Sequence, residues 1–142
     1  YVGLPAGAPG LSHLIAGAAQ LRDCVHSIAA KNLFVVPSGV LPPNPHELLS
    51  SKRFQRVVEI LERRFDTIII DAPALGEVSD TLVVARHCSD VLFVVQAGLT
   101  KLETVANELS RLSGEGIPPI RVVLNRVHTY ELDQDVMKSF VK

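Results

Sequence analysis

Three short apolar runs, Thr67 to Ile70, Val91 to Val95 and Val122 to Leu124, stand between stretches whose apolar residues recur at helical spacing. None of the three alternates between apolar and polar. A strand with one wet face alternates, so these runs predict strands covered on both faces, as in a parallel sheet flanked by helices.

The intervening stretches supply the helices. In Ser51 to Arg64, the residues Phe54, Val57, Val58 and Leu61, continued by Phe65, make one buried stripe. Ser50 or Ser51 can cap its start, and Lys52, Arg53, Glu59, Glu62 and Arg63 fall on its wet side. Ser79 to Cys88 reads as a helix capped by Ser79. Leu102 to Leu112 reads as another, burying Leu102, Val105, Ala106, Leu109 and Leu112 behind a Thr100-Lys101-Leu102-Glu103 capping box.

Upstream, Leu11 to Ala16 predicts a short helix stopped by Gly17, and Leu21 to Ala30 fits either helix or strand. Asn32 to Val36 predicts a strand ended by Pro37. Ser38 to Pro45 carries three prolines and predicts irregular chain. After residue 30 the order is strand, helix, strand, helix, strand, helix, strand. That alternation predicts an α/β fold, a parallel sheet with right-handed crossovers and helices on both faces.

Composition closes off several functions. With 142 residues the chain has room for one ordinary domain, and a formal net charge of −1 gives no overall basic field for nucleic acid. No run reaches the roughly 18 apolar residues of a membrane span, and no signal peptide is visible. Cys24 and Cys88 share no metal-like spacing and are expected to be reduced thiols of a cytosolic protein. The five histidines share no ligand spacing either. The chain opens on Tyr1, which suggests a fragment with sequence lost upstream.

The sharpest chemical signal is Phe65-Asp66-Thr67-Ile68-Ile69-Ile70-Asp71-Ala72-Pro73. A covered strand ends in a carboxylate and leaves through a proline turn. Ligands of parallel α/β folds sit outside the carboxyl ends of strands, where such a carboxylate can hold Mg²⁺ through water. Asp71 is therefore the candidate catalytic and metal residue, set against the alternative of a simple turn residue. Asn125 and Arg126 follow the last strand, and an Asn there can offer a donor and an acceptor to a purine edge, set against the alternative of a turn residue. Pro73, Asn125 and Arg126 make up the candidate nucleotide-binding set. No Gly-x-x-x-x-Gly-Lys-[Ser/Thr] loop occurs, so the phosphates have no cradle of N–H groups in this sequence.

Taken in order, Gly10-Leu11-Ser12-His13-Leu14-Ile15-Ala16-Gly17, Asn32 to Gly39, Pro42-Pro43-Asn44-Pro45-His46-Glu47-Leu48-Leu49-Ser50-Ser51, Phe65 to Pro73 and Val122 to Val127 resemble one family. It is the cytoplasmic kinase domain of the bacterial tyrosine autokinases of capsule and exopolysaccharide synthesis. The Pro-Pro-Asn-Pro-x-Glu-Leu-Leu-x-Ser element is the most specific piece, whereas the acid-x-Pro motif is shared with partition and septum-site ATPases. The resemblance implies a P-loop-type fold, here the C-terminal portion of a single domain lacking its N-terminal Walker A strand.

It also implies ATP and Mg²⁺ as cofactors, self-association into rings, and a membrane-embedded chain-length regulator as partner. Localisation would be cytoplasmic, peripheral to the inner membrane through that partner. Asp71 matches the family's Walker B aspartate, and Asn125 matches an asparagine near the adenine in the wider class that includes the partition and septum-site ATPases. The usual Asp-Thr-Pro-Pro reads Asp71-Ala72-Pro73-Ala74 here, and only Tyr130 follows the last strand where the family carries several tyrosines. A fragment of this kind is expected to be inactive alone. The alternatives are a partition-type ATPase switch and a non-catalytic module that binds through Leu41 to Pro45 and Ser51 to Arg64.

Overall fold

The computed structural model describes residues 4, 7–28, 32–75, 80–114 and 116–127. The chain forms two compact units, Tyr1–His87 and Cys88–Lys142.

The first unit opens with α1 (Leu11–Ala16) and α2 (Leu21–Cys24). Gly17 ends α1 at φ 75°, and its N–H donates to the carbonyls of His13 and Leu14. A residue with a Cβ rarely adopts that left-handed conformation, which is why the helix stops on glycine. Two short strands follow, β1 (His26–Ser27) and β2 (Phe34–Val35), paired antiparallel with His26 opposite Val35. The expected parallel placement of the 32–36 strand is thus corrected. So few residues separate the two strands that only a hairpin can join them, since a parallel crossover needs about a dozen or more. Asn32 takes φ 65° in that connection, and the Ile28 N–H donates to the Leu33 carbonyl at 3.0 Å.

The proline-rich loop is irregular as expected, but it leads straight into a helix the sequence reading passed over, α3 (Pro45–Leu49). Pro45 stands in its first turn, where a missing N–H costs nothing. Next comes α4 (Lys52–Glu62), with Phe54 and Val58 buried and Lys52, Arg53, Glu59 and Glu62 exposed. Ser51 is its cap: the hydroxyl accepts from the Phe54 N–H at 3.3 Å and donates to the Leu48 carbonyl at 2.7 Å. Ser51→Ala removes both bonds and is expected to cost about 1 kcal/mol, read as a lower urea midpoint at unchanged slope. The unit closes on α5 (Asp80–Ala85); Ser79, its expected cap, lies outside the described residues. Helix α1 packs on α3 and α4, and α3 packs on α5, around a core of Ile15, Cys24, Phe54, Val58, Val84 and Ala85. The His87 ring meets the Phe54 ring edge-on at 5.2 Å. Burial first, then the charge of Asp23, push the Cys24 thiol above its ordinary range, so it stays protonated and unreactive.

Thr67 to Ile70 departs from expectation. It is not a strand: the segment belongs to no ladder among the described residues, and Ile69 is 88% exposed. An apolar run becomes a strand only when neighbouring backbone takes up its N–H and C=O groups.

The second unit holds β3 (Val91–Gln96), α6 (Leu102–Gly114) and β4 (Ile120–Asn125). Strands β3 and β4 pair in parallel from Val91 opposite Ile120 to Gln96 opposite Asn125. The parallel sheet foreseen here is therefore present. Val105 and Leu112 of α6 are buried as expected, but Leu102 is 82% exposed and Ala106 is exposed. The helix begins at Leu102, with the Val105 N–H donating to the Lys101 carbonyl. That start puts Thr100 one residue too early to be the cap. Its hydroxyl accepts from the Gln96 N–H instead, at 3.3 Å.

Candidate functional site

Asp71 ends the extended apolar run in the first unit and is solvent-exposed, as are Ala72, Pro73 and Ala74. Its carboxylate has no protein partner among the described residues. The loop that carries it is nevertheless fixed. The Thr81 hydroxyl, in the first turn of α5, donates to the Pro73 carbonyl at 3.0 Å. One hydrogen bond thus ties the proline turn to a helix and sets where the chain goes after the aspartate. Sequence reading missed Thr81, since nothing about a hydroxyl on a helix marks it as a tether.

The remaining candidates lie in the second unit. Asn125 is the last residue of β4 and is exposed, and Arg126 follows it at φ 57°. The left-handed turn is supported by Asn125 itself, whose side-chain oxygen accepts from the Arg126 N–H at 2.8 Å. A backbone N–H can only donate, so the oxygen must face it and the NH₂ must point away. The sheet adds Gln96, opposite Asn125 on β3, with the Ala97 N–H donating to the Asn125 carbonyl at 2.9 Å. Gln96 is the first polar residue after its apolar run, as Asn125 is after its own, and that parallel was available in the sequence. Asp71 and Pro73 belong to one unit, Asn125 and Arg126 to the other.

Helices alternating with strands, and a parallel strand pair in the second unit, define an α/β fold. No protein-family model matches the chain. Known proteins do. The chain is 36% identical over 118 residues to the tyrosine-protein kinase Wzc of Salmonella typhimurium, covering 83% of the chain and 16% of that protein. It is 35% identical over 119 residues to the tyrosine-protein kinase CpsD of Streptococcus agalactiae, covering 84% of the chain and 51% of that protein. Among solved structures, the VpsO kinase domain matches with a TM-score of 0.84 at 32% identity, over 89% of the chain and 62% of that domain. The kinase domain of the Escherichia coli tyrosine kinase Etk matches with a TM-score of 0.75 at 30% identity, over 87% of the chain and 50% of its own length. The chain belongs to the bacterial tyrosine kinase family, and it spans about half the length of the CpsD relatives.

Proposed function

We propose that this chain is the C-terminal portion of a P-loop-type kinase domain, in an ATP-dependent tyrosine autokinase that regulates exopolysaccharide chain length and export. The observation that carries the reading is the unpartnered, exposed carboxylate of Asp71 on a loop held by Thr81, in a chain related to named tyrosine kinases.

That carboxylate fits Mg²⁺. Among the described residues no group of three His, Cys, Asp or Glu side chains could hold a metal, so of these residues Asp71 alone would hold the ion, leaving its other positions open to water and phosphate. Magnesium is bound in this way, through one or two carboxylates. When bound, Mg²⁺ neutralises charge on the phosphates being transferred. In the first unit Asp71 would hold the ion through its water shell and Pro73 fixes the exit of the loop; in the second, Asn125, supported by the Arg126 turn, would offer its amide to a purine edge.

The 142 residues contain no phosphate-gripping lysine motif, so the chain alone does not turn over ATP. Self-association and a membrane-embedded regulator complete the proposal, with the domain at the cytoplasmic side. No helix among the described residues is long and apolar enough to cross a membrane.

The test is direct. The full-length protein, incubated with ATP and Mg²⁺, gains phosphotyrosine, and a chelator abolishes the gain. The 142-residue chain shows none. A full-length protein that dimerises with nucleotide but never acquires phosphotyrosine would replace this reading with an ATPase switch.

A further inference from the structure

We infer that Gln96 is a second base-reading residue, which pairs with Asn125 to recognise a purine carrying an exocyclic amine next to a ring nitrogen. The inference rests on the proposed nucleotide role of Asn125 and deepens it.

Gln96 and Asn125 are register partners at the carboxyl ends of β3 and β4. Opposed residues of neighbouring strands project from the same face, about 5 Å apart. The two carboxamides therefore stand side by side where parallel sheets bind ligands. Their hydrogen-bonding sense is partly fixed. Asn125 spends its oxygen on the Arg126 N–H and presents NH₂, a donor. Gln96 is half-buried, and its side chain makes no hydrogen bond among the described residues. Its backbone is held on both sides, the N–H by the Thr100 hydroxyl and the carbonyl by the Thr100 N–H at 3.1 Å. Its carboxamide reaches solvent without a protein partner among the described residues, so on an anchored backbone it is open to a ligand that displaces water. With Asn125 donating, Gln96 complements it by accepting. A ring nitrogen that accepts, beside an amine that donates, is the edge adenine offers.

The experiment measures binding of ATP and of purine riboside triphosphate, which lacks the exocyclic amine, to the full-length protein by calorimetry. Gln96→Leu keeps the side chain's size and removes no protein hydrogen bond, so the fold is expected to survive. The expected result is an ATP affinity weakened about 5- to 10-fold by Gln96→Leu, the scale of one lost hydrogen bond. Purine riboside triphosphate should bind wild type and variant equally. Equal losses for both nucleotides, or no loss for ATP, overturn the inference. Asn125→Ala separates it from the underlying reading. If that variant weakens ATP while Gln96→Leu does not, only the role of Gln96 falls. If neither variant affects ATP, the base site falls with it.

Discussion

Asp71→Asn in the full-length protein is expected to lower tyrosine phosphorylation by about 100-fold or more while leaving the melting temperature unchanged. The substitution keeps the side chain's size, removes its charge and turns one acceptor oxygen into an NH₂ donor. In the proposed role, losing the carboxylate that would order the metal's water shell withdraws several kcal/mol of charge stabilisation, and each ~1.4 kcal/mol is a factor of ten in rate. The stability side follows from the surroundings. Asp71 is exposed and has no protein partner among the described residues, and surface changes of that kind usually fall within about 0.5 kcal/mol. Initial rates with labelled ATP, set beside thermal melts, check both halves. A rate within about threefold of wild type would remove Asp71 from the chemistry. A large fall in melting temperature would make it a structural residue instead. The contrast between the two readouts separates the metal role from a turn role.

How far the sequence foretold this molecule depends on where each segment finds its partners. The cap at Ser51 and the stop at Gly17 were legible because both are local: a hydroxyl three residues from a free N–H, and a glycine where φ turns positive. The parallel pairing of β3 with β4 followed from unbroken apolar runs separated by a helix. Thr67 to Ile70 shows the limit of that argument. Its composition is that of a covered strand, yet strand formation needs a neighbour's backbone, and composition says nothing of whether one is present. The hairpin of β1 and β2 was lost for a similar reason, since two-residue strands carry too little pattern to declare their direction. Leu102 was assigned to a buried stripe by spacing alone; the helix begins at that residue, so it is left in solvent. Asp71 and Asn125 stand out in the sequence as candidates because each follows an apolar run. The Thr81 tether and the opposition of Gln96 to Asn125 are long-range facts that appear only once the chain is folded.

The largest effect on stability is expected at Gly10, where α1 meets the loop after β2. The Leu11 N–H donates to the Pro37 carbonyl at 2.8 Å, and the Ser12 N–H donates to the Ser38 carbonyl at 3.0 Å. The first turn of the helix thus takes its hydrogen bonds from a segment more than twenty residues away, and the two backbones must lie almost in contact. Gly10 is buried between them, with φ −150°, an extended conformation open to any residue. Space, not conformation, demands glycine there. A Cβ at position 10 would run into the Pro37 carbonyl oxygen and stand 2.6 Å from the Gly39 nitrogen, atoms of backbone that cannot rotate aside. Gly10→Ala must therefore push the loop off the helix, straining or breaking both hydrogen bonds. It would also disturb Gly39, which holds φ 81° with the Ser12 hydroxyl and the His13 ring packed against it. Overpacking of about 1–3 kcal/mol together with two weakened hydrogen bonds gives a loss of about 3–5 kcal/mol. That is a large share of the stability of an ordinary domain, roughly 5–15 kcal/mol. The expected readout is a melting temperature lower by about 10 °C, or loss of soluble protein. Gly98→Ala is the matching control. Gly98 sits at φ 71° with nothing within 4 Å of an added Cβ, so it tests backbone strain alone and should cost only about 1 kcal/mol. Equal costs at the two positions would show that the approach of α1 to the 37–39 segment is looser than these contacts require.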